Sequence, residues 1–163
     1  MSTSDDNSGR VLDALAGSPM ELPETKQIEQ ANALLAIKEL ADRELCRRKL
    51  LNFICRANPM YNPGWVHNLI CEKLEEFEKK ILIAQQTKTT GPRLLITMPP
   101  RSGKSEIVSR CFPSWYLGRN PEHEIIATSY AASLALKFSR SARALYTSPF
   151  FKSVFPNSSL NMD

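Results

Sequence analysis

Met98-Pro99-Pro100-Arg101-Ser102-Gly103-Lys104-Ser105 brings together residue types suited to one task, holding the phosphates of a nucleoside triphosphate. A tight turn aims successive backbone N–H groups at phosphate oxygens, and a helix that follows adds its positive end. Gly103 lets the backbone approach closely. Lys104 offers a mobile point charge for the β and γ phosphates, and the Ser105 hydroxyl is placed to ligate magnesium. The first glycine of the G-x-x-x-x-G-K-[ST] pattern is replaced by Met98, so the flanking elements must decide between a phosphate loop and a chance Gly-Lys-Ser in a surface turn.

Those elements read favourably. Arg93 to Met98 is an apolar run suited to a buried strand, and Pro99 and Pro100, lacking N–H donors, end it and stiffen the loop entry. Ser105 to Tyr116 carries Ile107, Val108, Phe112 and Trp115 at helical spacing, and Gly118-Arg119-Asn120-Pro121 closes that helix. Glu124 to Thr128 then reads as a second strand. The order predicts a βαβ unit: an α/β P-loop fold with a parallel sheet, incomplete, preceded by amino-terminal helices, with both loops opening at the carboxyl edge of the sheet.

The run LLITMPPRSGKSEIVSRCFPSWYLGRNPEHEIIATSYAASLALKFSRSARAL, preceded by PGWVHNLICEKLEEFEKK, resembles the amino-terminal ATPase region of the large terminase subunit of tailed bacteriophages and prophages. The resemblance spans about Leu45 to Pro156. It implies ATP and Mg2+ as ligands and a motor that packages viral DNA by ATP hydrolysis. It also implies double-stranded DNA, the small terminase subunit and the portal protein as partners, self-association into a ring, and the cytoplasm of a bacterial host as location. Pro100 to Ser105 would bind nucleotide. Arg101 and Lys104 would act on the γ-phosphate, and Tyr61, Trp65 and His67 occupy the stretch where related motors recognise adenine. Ser129 and Tyr130 resemble a DNA-backbone contact. Lys137, Arg140 and Arg143, on the last helix, could face DNA, a neighbouring subunit's nucleotide, or simply solvent. Two other classes stay open: another P-loop enzyme, helicase-like or a small-molecule kinase, and a non-catalytic remnant or interaction module.

Length and composition bound the reading. The 163 residues suffice for one modest core, not for the ATPase and nuclease domains of a complete terminase. No apolar run ending in Asp-Glu follows Thr128, and no nuclease-type carboxylate cluster is present, so the expectation is a chain that cradles phosphate without turning ATP over or cutting DNA. The domain reading is a disordered arm over residues 1–23, a helical segment over 24–91, and the first part of an ATPase domain over 92–163. Within the helical segment, one helix is expected from Glu24 to Arg56. A second is capped by Asn62-Pro63, with Val66, Leu69, Ile70, Leu74, Phe77 and Ile81 as its stripe and Glu75–Lys79 and Glu76–Lys80 pairs on the wet side. No segment approaches the roughly 20 apolar residues of a membrane span, and Met1 to Pro23 has no hydrophobic signal core. Cys46, Cys55, Cys71 and Cys111 are too dispersed for a metal half-site and read as buried or partly buried free thiols. From Pro92 onward nine Lys and Arg oppose four Asp and Glu, a balance of +5, leaving −1 for the preceding residues. That excess suits contact with DNA phosphates, and equally a solvated basic surface.

Overall fold

The computed structural model describes residues 24–158; the arm expected over 1–23 lies outside the described residues. The elements are α1 (Glu24–Arg48), α2 (Leu50–Ala57), α3 (Trp65–Thr87), a π-helical turn Glu106–Cys111 that runs directly into α4 (Phe112–Arg119), α5 (Ala132–Tyr146) and α6 (Pro149–Val154). The chain divides into two compact units, Met1–Lys38 and Glu39–Asp163. In the first, the described part is the start of α1, where Ile28, Leu34, Leu35 and Ile37 are all exposed.

The second unit holds the core. Leu50, Phe53 and Ile54 of α2, Ile107 and Cys111 of the π turn, Trp115 of α4, and Phe151 and Val154 of α6 are sealed from solvent. The Trp115 indole N–H donates to the Cys46 carbonyl at 2.9 Å, and the Arg119 guanidinium stacks 4.7 Å over its ring. The Ser114 hydroxyl lies 3.0 Å from the carbonyls of both Arg110 and Ala142, which joins α4 to α5.

The helix expected from Glu24 to Arg56 breaks at Lys49, whose backbone is extended at φ −124° and ψ 117°. Nothing local forces this. The cause is a carboxylate from α3: Glu75 accepts the Leu50 N–H at 2.9 Å and the Lys49 ammonium at 3.0 Å, capping α2 from outside its own sequence. Glu75 is therefore buried rather than paired with Lys79, and Glu76 pairs with Lys73 rather than Lys80. Glu78 is likewise buried, where it accepts from Arg119 Nε at 2.7 Å and Asn120 Nδ2 at 3.0 Å. The α3 cap is Gly64, not Asn62.

The expected α/β parallel sheet is corrected by the structure: among the described residues there is no strand, and the fold is helical. Arg93 to Met98 and Glu124 to Thr128 run without regular structure. Ile96 and Met98 turn onto the core while Leu95 is 90% exposed, and Ile126 is 89% exposed. The buried strand expected over Arg93 to Met98 is therefore absent. A strand needs a neighbour to take its N–H and C=O groups, and no backbone hydrogen bond joins these two runs to each other.

Gly118 has a role beyond closing a helix. A Cβ there would stand 2.6 to 2.8 Å from the buried Phe155 ring, so the missing side chain is what lets that ring lie on α4. Gly118→Ala is expected to destabilise the protein by about 2 kcal/mol, an overpacking cost that outweighs the helical preference for alanine. Chemical denaturation would read this, and an unchanged or raised midpoint would contradict the contact.

Candidate functional site: a loop at a helix start

The loop and the helix fall where the sequence puts them. Helical structure begins at Lys104, with the Ile107 N–H donating to the Gly103 carbonyl at 3.2 Å. The path then widens: the Phe112 N–H reaches Ile107, five residues back. Pro113 supplies the reason, since it cannot donate to the Ser109 carbonyl and its ring crowds that group, which a wider turn relieves. Helical residues nevertheless continue through Arg119, so the loop sits at the positive end of more than three turns.

Within the loop, Arg101 (φ 61°) and Gly103 (φ 78°) are both left-handed, and the Ser102 hydroxyl donates to the Pro99 carbonyl at 2.7 Å. The alternating handedness makes a concave backbone of the kind that collects N–H groups around an anion. Among the described residues, no backbone carbonyl accepts from the N–H of Gly103, Lys104 or Ser105. Arg101 and Ser105 are exposed and Lys104 is half-buried. No carboxylate among the described residues pairs with Arg101 or Lys104, whereas Glu106, the nearest acid along the chain, is held by Arg110 and lies 3.8 Å from Cys111 Sγ. Among the described residues, the rim therefore presents N–H groups without acceptors and the cations of Arg101 and Lys104 without carboxylate partners, and Glu106 is neutralised by Arg110.

The structure also brings Tyr61 and His67 to the loop. His67, in the first turn of α3, accepts the Gly64 N–H at Nδ1 over 2.8 Å, so its proton is on Nε2, which donates to the Ser102 carbonyl at 3.0 Å. A Cβ on Gly103 would lie 3.1 Å from His67 Nε2 and 3.4 Å from the Tyr61 hydroxyl. The close approach that requires glycine here is thus to these two rings. The Tyr61 hydroxyl is sealed from solvent with no hydrogen-bond partner, and burial pushes its phenol up to about 12. Its ring meets His67 edge-on at 5.6 Å. Trp65 does not join them: its side chain is 76% exposed. Both His67 nitrogens are in use inside the protein, a role that sequence spacing could not show because Ser102 lies 35 positions away.

These residues fit a polyphosphate, through the free N–H groups, Lys104 and Arg101. For a magnesium ion the Ser105 hydroxyl is the loop's one available side-chain oxygen, since Ser102 is committed to Pro99. No group of three His, Cys, Asp or Glu among the described residues is arranged to hold a metal.

The other candidate residues lie elsewhere. Ser129 and Tyr130 are exposed just before α5, as are Lys137, Arg140 and Arg143 upon it. A groove of about 1100 Å³ runs between α3, α4, residues 122–129 and α5, with Phe77, Phe112, Ile125 and Phe138 among its lining, and no residue of 98–105 contributes. All four cysteines are free, as expected. No described helix is long and apolar enough to cross a membrane. Compared with protein-family models, curated proteins and solved structures, the chain matches none significantly.

Proposed function

We propose that this chain binds the triphosphate of ATP, with Mg2+, at the loop Pro100–Ser105, as the nucleotide-holding portion of a terminase-like DNA-packaging motor. The observation that carries the first half is the loop itself: N–H groups at a helix start, flanked by Lys104 and Arg101, with no acceptor or counter-ion among the described residues. The second half rests on the sequence resemblance. Double-stranded DNA, the small terminase subunit, the portal protein and further copies of the chain are partners in this proposal, and the bacterial cytoplasm its location. The exposed basic residues Lys137, Arg140 and Arg143 supply phosphate-neutralising charge for DNA. Trp65 offers an exposed ring on which a base could stack.

Arg101 carries a specific expectation. Its left-handed backbone costs about 1 kcal/mol for a residue with a Cβ, and its guanidinium stands free at the rim, suited to the outermost phosphate. Arg101→Ala should weaken Mg·ATP binding about tenfold while leaving Mg·ADP within about twofold. Calorimetry with both nucleotides tests the reading; equal losses would remove the γ-phosphate role, and absence of binding by the parent chain would remove the nucleotide.

A further inference from the structure

Because His67 and the loop meet only in three dimensions, their contact assigns a role that the nucleotide reading above does not contain. We propose that His67 is a positioning residue that sets the direction of the Gly103 N–H. In a trans peptide unit the C=O and the following N–H point to opposite sides. The Nε2–H of His67 holds the Ser102 carbonyl toward α3 at 3.0 Å, so the N–H of the same peptide, that of Gly103, is turned away from α3. Were that carbonyl free to rotate outward, an acceptor would face the anion in place of a donor.

Two further contacts make the arrangement specific. The Gly64 N–H on Nδ1 selects the neutral tautomer with its proton on Nε2, the only neutral form able to donate to Ser102. The Tyr61 ring and its sealed hydroxyl fill the space beneath Gly103, so the peptide has no room to sink back. His67 thereby acts through the loop and touches no ligand.

The proposal rests on the phosphate-loop reading for its purpose but not for its test. Three measurements on the whole 163-residue chain decide it. In the ligand-free protein, nitrogen NMR of the His67 ring should show Nε2 protonated and Nδ1 bare; the opposite tautomer overturns the proposal. His67→Asn keeps an acceptor for Gly64 but is too short for Ser102, whereas His67→Gln reaches Ser102 with an amide donor. Hydrogen exchange of the Ile107 amide, which donates to the Gly103 carbonyl at 3.2 Å, should quicken about tenfold in the Asn variant and stay within about threefold of the parent in the Gln variant. Equal exchange in both variants, or none altered, overturns it. Affinity for Mg·ATP should follow the same order, with the Asn variant about tenfold weaker. If the parent chain fails to bind Mg·ATP while tautomer and exchange behave as stated, the nucleotide reading falls and the positioning role stands.

Discussion

Lys104→Ala is expected to weaken Mg·ATP binding at least 30-fold, about 2 kcal/mol or more, the scale of a lost charge-assisted contact to phosphate. The size follows from where the residue sits. Lys104 opens the helical run, half-buried, beside the free N–H groups of the loop, and no described carboxylate competes for its ammonium. Half-burial lowers the screening around it, so the same charge is worth more here than on an open surface. Its removal should not unfold the chain, because the core members Ile107, Cys111 and Trp115 follow it on the inner side of the helix. Calorimetry on the parent and the variant, paired with thermal denaturation of both, separates the two effects. A variant that binds as tightly as the parent would mean that the loop is an ordinary surface turn.

Alkaline pH is expected to destabilise the protein through its buried thiols. Burial pushes the thiols of Cys71 and Cys111 from an ordinary value of 9.0 up to about 12, and that of Cys46 up to about 11. A raised folded value means that the native protein holds these protons more tightly than the unfolded chain does. The stabilisation is therefore complete below pH 9.0 and is lost as pH climbs toward 11 or 12. Each such thiol loses stabilisation on the order of 1 kcal/mol per pH unit across that window, and three acting together become comparable with the margin of a small domain. Urea midpoints measured from pH 7 upward should be level to about pH 9 and then fall steeply. Cys71→Ala with Cys111→Ala should flatten that fall even if it lowers the starting stability; an unaltered slope would assign the alkaline transition to other groups.

The two apolar runs that flank the loop show where reading from sequence succeeds and stops. Arg93 to Met98 is visible in the residues as an apolar run suited to a buried strand, yet the structure turns Ile96 and Met98 inward and leaves Leu95 exposed. Whether such a run becomes a strand depends on a second chain segment at hydrogen-bonding distance, which no local pattern can state. The same limit explains the break at Lys49. Propensity alone carries the helix through it, and only Glu75, 25 positions on, supplies the acceptor that favours a new start at Leu50.

Local chemistry made the helix after Gly103 and its closure by Gly118-Arg119-Asn120-Pro121 legible, because the 3.6-residue apolar period and the closing residues act over a few bonds. Residue type likewise settled that the four cysteines stay free and that no described helix spans a membrane. Tertiary structure decided the rest: that Glu75 and Glu78 are buried and satisfied, that Gly118 makes room for Phe155, and that His67 and Tyr61 close beneath Gly103. Each of these joins atoms 25 or more positions apart. Such contacts arise from the packing of whole elements, in which burial of the core brings the polar partners together, and that packing is not written in the spacing of any one segment.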